Sequence, residues 1–234
     1  MSLTILAQEG GLVAIDKPPD LLVIPGRAAD DQRCARDLLA AQLGREVWVC
    51  HRIDRDTSGV VLFATDPKVH RTVSMAWDDK QVHKRYLALV QGRVRGPMDI
   101  DLPLAEGRKG KMRVALQGEE GKASRTRVEV KEAFERASLV ECEPLTGRQH
   151  QLRVHLRAKG HPLLFDHQYG RKQPLLEKDL GGQGEAVVLD RTPLHASFLS
   201  VPVAKFEVRA PLPSDMAATL ERLRSVAAGR LAGL

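Results

Sequence analysis

The segment HRIDRDTSG, from His51 to Gly59, sets one acid, Asp54, between two arginines, Arg52 and Arg55, immediately before the apolar run from Val60 to Ala64. A carboxylate beside fixed cations stays ionised near neutral pH, because opposite charge favours the charged form, and an ionised carboxylate serves as a nucleophile or a base. Arginine's planar fork suits phosphate, so an acid set among arginines points to chemistry on a polyanion. Taken alone, the stretch reads equally as a solvated loop whose charges pair weakly. Within it, His51 is expected to order the loop by hydrogen bonds rather than act as a base, and Asp56, Thr57 and Ser58 are expected as turn and cap residues.

A second basic cluster, TGRQHQLRVHLRAKGHPLLFDHQYG, runs from Thr146 to Gly170 and holds four histidines. The pattern predicts a helix from Thr146 to Lys159, opened by a capping box over Thr146 to Gln149 and stopped by Gly160. Leu152 and Leu156 then face the core, while Gln149, Arg153 and Arg157 share another face through their spacing of four. Arg153 is the candidate to point at a site. His150, His155, His161 and His167 raise a metal site, but with no His-Glu-x-x-His spacing and no cysteine companion, none is expected. Tyr86, read from its strand alone, is a packed core residue.

Both clusters need a frame to hold them. Leu12 to Ile15 reads as a strand entering a loop constrained by Lys17-Pro18-Pro19, and Ala35, Leu38, Leu39 and Leu43 recur at helical spacing, with Asp30 or Asp31 as the cap. Glu46 to Cys50 predicts the strand that delivers the Asp54 loop, and Gly59 to Ala64 the strand that leaves it. A helix is predicted from Pro67 to about Trp77, and further strands over Lys84 to Gly92, Lys111 to Leu116, Ser124 to Val130 and Leu139 to Glu143. Thr126, Val128 and Val130 alternate with charged neighbours, as in an antiparallel sheet with one wet face. The stretch from Arg171 to Glu185 reads as an excursion or a mobile loop whose glycines serve flexibility. Strands near Ala186 and from Leu194 to Val208, and a helix from Ser214 with Ala217, Leu220, Leu223 and Ala227 on its apolar face, close the chain. The expected fold is α+β, a mixed, mainly antiparallel central sheet with peripheral helices, in one domain over 1–234.

With 234 residues, 43% hydrophobic and 28% charged, the composition is that of a globular protein able to bury a substantial core. A net charge of +6 permits a nucleic-acid partner, whereas aromatics at 4% leave little for base stacking across a sheet. The three cysteines are dispersed and no run approaches the roughly 20 apolar residues of a membrane span, so a cytoplasmic location with free thiols is expected.

DKPPDLLVIPG, HRIDRDTSG, KRYLALVQG, GRQHQLRVHL with KGHPLLFDHQYG, and PLHASFLSVP occur in the order found in pseudouridine synthases of the large-subunit and transfer RNA type related to RluA, which this chain resembles from Asp16 to Pro202. The resemblance implies an RNA isomerase that detaches a uracil, rotates it and rejoins it through C5, with neither metal nor organic cofactor. It assigns Asp54 the covalent or proton-transfer role, Arg153 the pairing with that acid, and Tyr86 the packing on the base. Arg52 matches the arginine that fills the gap left by the flipped nucleotide. Arg52, Arg55, Lys84 and Arg148 are the basic residues expected to hold RNA, either ribosomal or transfer RNA. Arg55 stands where the family commonly has a small or hydrophobic residue, which makes this loop more basic than usual. No RNA-binding S4 module is expected before Gly11, and a monomer is the default expectation. Two other classes stay open at this point: a catalytically silent RNA-binding protein, and a metal-dependent hydrolase built on the histidines.

Overall fold

The computed structural model describes residues 1–26 and 33–232. In chain order the elements begin with β1 (Thr4–Glu9), β2 (Leu12–Lys17), α1 (Ala35–Leu43), β3 (Trp48–Val49), β4 (Ser58–Ala64), α2 (Pro67–Asp78) and β5 (His83–Gln91). There follow β6 (Met98–Asp101), β7 (Leu104–Glu106), β8 (Met112–Val114), β9 (Arg125–Ala133), β10 (Ala137–Pro144) and α3 (Gln151–Ala158). The chain closes with β11 (Leu175–Leu176), β12 (Val187–Leu189), β13 (Leu194–Val201), β14 (Phe206–Arg209) and α4 (Ser214–Ala232). Among the described residues, mixed, mostly antiparallel strands with four helices make the fold α+β, as expected. Two compact units divide the chain: Met1–Arg85 with His195–Pro211, and Tyr86–Leu194 with Leu212–Leu234.

In the first unit β4 is the central strand. It pairs antiparallel with β2 from Gly59 to Ala64, with β3 at its far end, and parallel with β13 at Ser58 and Gly59. Every residue of β4 is buried, which explains an apolar run without polar alternation. Val60, Leu62 and Ala64 pack on one face with Val73 of α2, Leu199 and Phe206, while Val61 and Phe63 pack on the other with Leu39 of α1 and Ile15. Helix α2 starts where Asp66 Oδ1 accepts the N–H groups of Lys68 and Val69, ahead of Pro67 in the first turn. Strand β1 lies outside the strands predicted from sequence. Its signal is the Gly10-Gly11 pair, both at positive φ, which closes the two-residue hairpin to β2. Asp30 and Asp31, the expected caps of α1, lie outside the described residues, and Cys34 precedes the helix.

In the second unit β5, β10, β9 and β6 are antiparallel neighbours in that order. One face carries Leu89 and Leu139 against Met216, Leu220 and Leu223 of α4. The opposite face carries Ala88, Val90, Ile100, Val128, Val140 and Cys142 against Leu152 and Leu156 of α3, with Tyr86 packed at its margin. The alternation in β9 is as read: Thr126 and Val128 are buried, whereas Arg125, Arg127 and Glu129 are exposed.

Two local expectations are corrected. Helix α3 begins at Gln151, five residues later than predicted, because Thr146 does not cap a helix. Its Oγ1 accepts the Arg125 N–H and donates to Gln151 Oε1, tying the loop to the edge of β9. The 171–185 stretch is packed against the body of its unit, and its glycines serve that packing: Leu175 and Leu180 are buried, and Arg171 is ion-paired with Asp179 at 2.6 Å. A Cβ at Gly182 or Gly184 would strike the Glu177 side chain, at 2.7 and 2.0 Å, so these glycines make room for that residue.

Candidate active site

The carboxylate of Asp54 sits in the link between β3 and β4, and its backbone is fixed from several directions. The Asp54 carbonyl accepts the Thr57 N–H at 3.1 Å, which closes a turn with Arg55 and Asp56 at its corners. Lys17, fully buried at the end of β2, donates Nζ to the carbonyls of Pro18 and Leu21, both at 2.7 Å, and of Arg55 at 3.0 Å. A buried ammonium saturated by carbonyls satisfies the cost of its burial and cross-links two loops distant in sequence. At the start of the link the His51 ring stacks on Trp77 of α2, with centroids 4.6 Å apart, and its Nε2 accepts the Leu62 N–H at 3.1 Å. Burial, aided by the charge of Lys84, pushes the His51 pKa down to about 3, so the ring is neutral and serves as an acceptor. At the end of the link Gly59 adopts φ +108° in close contact with Ala196 of β13, and Ser58 Oγ lies 3.0 Å from His195 Nδ1.

In this frame Asp54 is half-buried, whereas Arg52 and Arg55 are exposed. Arg55 donates Nε to Asp20 at 2.7 Å, a bond between the turn and the Lys17-Pro18-Pro19 loop. Lys84 lies 5.5 Å above the Trp77 ring, and burial lowers its pKa. It is therefore a packed cation rather than a fully solvated one.

In the second unit Arg153 is not a helix-surface charge. Its side chain is 2% exposed, and its Nε and Nη2 donate to Asp166 Oδ2 and Oδ1 at 2.8 and 2.7 Å, a two-pronged pair with a carboxylate that is itself 1% exposed. Oδ1 of Asp166 also accepts the N–H groups of Gln168 and Tyr169, at 2.9 and 3.0 Å. Burial opposes the Asp166 charge, but Arg153 and these N–H groups outweigh it and hold the carboxyl below its ordinary range. The Tyr169 ring stands 5.0 Å from the guanidinium carbon. Its hydroxyl accepts the Met112 N–H at 2.8 Å and contacts His150 Nδ1 at 2.6 Å. His150 holds left-handed backbone, φ 52°, at the helix entrance. Tyr86 lies on the sheet face that α3 covers, opposite Cys142 on β10. Arg148 is exposed, with Nε donating to Ala123 O.

The fold thus places Tyr86 on the sheet face that α3, the helix of Arg153, covers in one unit, and Asp54 on a braced turn of the other. Lys17, Asp166 and Tyr169 are supporting residues that the spacing of motifs does not single out. The one available signal for Asp166 is an acid directly after the apolar run from Leu163 to Phe165, where an unpaired charge would be costly. The histidines serve separate purposes: His155 contacts Thr126 Oγ1 and Leu102 O, and His161 contacts Gln91 O. Among the described residues no three histidine, cysteine or acidic side chains gather as a metal-binding group.

Residues 11–158 match the RNA pseudouridylate synthase family. The chain is 34% identical, over 96% of its length, to ribosomal large subunit pseudouridine synthase D of Nitrosomonas europaea, and 36% identical, over 77%, to ribosomal large subunit pseudouridine synthase C of Escherichia coli K12. It spans 66% and 57% of those two proteins. Among solved structures, human RNA pseudouridylate synthase domain containing 4 superposes with a TM-score of 0.77 at 29% identity, covering 94% of this chain and 93% of that one. Human RNA pseudouridylate synthase domain containing 1 gives 0.74 at 26%, covering 96% and 95%. A match over most of the chain, joined to relatives above 30% identity, shows that this chain belongs to the RNA pseudouridylate synthase family, of the type related to RluA.

Proposed function

We propose that the protein is an RNA pseudouridine synthase that isomerises a uridine of large-subunit ribosomal RNA, without metal or organic cofactor. The observation that carries this reading is the braced turn around Asp54, set within a family match that extends over residues 11–158. The names of the relatives, which designate large-subunit ribosomal RNA, favour that substrate over transfer RNA.

A uridine held in RNA structure must leave its stack before any group reaches its glycosidic bond, at a cost of a few kcal/mol. In this reading Arg52, Arg55, Lys84 and Arg148 offset that cost through RNA contacts, and Arg52 fills the gap left by the flipped nucleotide. Tyr86 supplies an aromatic surface for the extruded base. Asp54 acts as nucleophile or base while the N1–C1′ bond is exchanged for C5–C1′, with the C5 proton lost and N1 protonated. Arg153 keeps the acid ionised and directed.

The test offers transcripts of large-subunit ribosomal RNA and of transfer RNA, each carrying tritium at uridine C5, to the wild type and to Asp54→Asn. Tritium release and mapping of the modified position are read together. Wild-type release from ribosomal RNA is expected, with Asp54→Asn reducing turnover by about 10³-fold and leaving RNA affinity close to wild type. Substantial residual turnover refutes Asp54 as the reacting group. Release from transfer RNA alone moves the substrate.

A further inference from the structure

The contacts of Arg153 are more numerous than charge neutralisation requires. Asp166 grips the Nε/Nη2 edge of the guanidinium with both oxygens, and is itself anchored by the Gln168 and Tyr169 N–H groups of its own segment. The face of the guanidinium is set by the Tyr169 ring, whose hydroxyl is bound to Met112 N and His150 Nδ1. Edge and face together leave the planar group one orientation. For packing alone, apolar residues of similar volume would serve at least as well, because two buried charges lose their hydration. A guanidinium has two bidentate edges, and gripping the Nε/Nη2 edge dictates where the Nη1/Nη2 edge is aimed.

We propose that Asp166 is a positioning residue for the isomerisation: it fixes the Arg153 guanidinium in a single direction, so that the arginine's effect on the reacting groups depends on Asp166 although Asp166 does not touch them. The inference rests on the reading of Arg153 as part of the catalytic machinery. Asp166→Asn is its direct test, since the amide keeps the size of the side chain but cannot grip both guanidinium nitrogens as a carboxylate does. Displacement of a reacting group by about 1 Å costs on the order of 100-fold in rate. Asp166→Asn is accordingly expected to lower kcat by about 100-fold with little change in KM for RNA.

A second readout follows the arginine itself. In the wild type, the Arg153 Nε–H resonance, identified by its loss in Arg153→Lys, is expected to exchange slowly with water; in Asp166→Asn it should exchange fast and shift upfield. Wild-type kcat in Asp166→Asn overturns the proposal, as does a resonance that exchanges rapidly in the wild type or is unaltered by the substitution. Should Asp166→Asn fail to fold, Arg153→Lys takes its place, because lysine keeps the charge but cannot be gripped along an edge; wild-type kcat in that variant overturns the proposal and a lowered kcat supports it. A wild type that makes no pseudouridine, or an Arg153→Ala variant with full activity, defeats the reading of the site instead.

Discussion

His51 carries a pH dependence that follows from its surroundings. Its ordinary value is 6.5, and in the folded protein burial against Trp77 and the strand, with the Lys84 charge nearby, pushes it down to about 3. The folded pKa is depressed, so this contribution to stability is complete above 6.5 and is lost as pH falls toward about 3, while the unfolded state alone gains the proton. His155, buried and also lowered, acts in the same direction. Thermal melts between pH 7 and pH 4 should show the melting temperature falling with pH, and His51→Gln should flatten that slope. An unchanged slope in the variant would place the dependence elsewhere. The ordering role of His51 is legible in its sequence neighbourhood. The grip of Asp166 on Arg153 is not, because 13 residues separate them and only the path of the intervening chain brings them together.

Strand β4 and its flanking turns set the position of Asp54, and the tightest point is Gly59. A methyl group there would lie 2.2 Å from the Ala196 carbonyl oxygen, in backbone of φ +108° that side chains rarely adopt. Gly59→Ala should therefore destabilise the fold by about 3 kcal/mol or more, measured by denaturant unfolding; a change below about 1 kcal/mol would mean that β13 yields easily. Helices with strong local signals, such as α2 with Asp66 and Pro67 at its start, were readable from sequence nearly to the residue. Helix α3 was not, since Thr146 has a competing partner on β9, and a capping pattern cannot reveal a tertiary hydrogen bond. The glycines of 181–184 were legible as glycines but not as a seat for Glu177.

For the whole molecule, a net charge of +6 and exposed arginines at positions 52, 55 and 148 mean that RNA binding, in the proposed function, is driven by counterion release. The logarithm of the RNA association constant should fall linearly with the logarithm of salt concentration, and Arg148→Ala should reduce the slope by about 1. A flat response would remove phosphate contacts as the source of affinity. The α+β class and mainly antiparallel pairing follow from strand alternation and turn spacing, which are local and periodic. The division into two compact units does not, because the first unit gathers His195–Pro211 from far along the chain.

The sequence alone determined the family resemblance, the acid among arginines, the ordering role of His51 and the extents of β4 and α2 to within a residue, since all of these are written in residue type and short-range spacing. Tertiary structure decided which groups support the candidate residues: the Lys17 ammonium under the Asp54 turn, the Asp166 carboxylate and Tyr169 ring around Arg153, and the sheet face shared by Tyr86 and α3. These depend on burial and on contacts between residues distant in the chain. The stability of a buried charge is set by partners that no local pattern records.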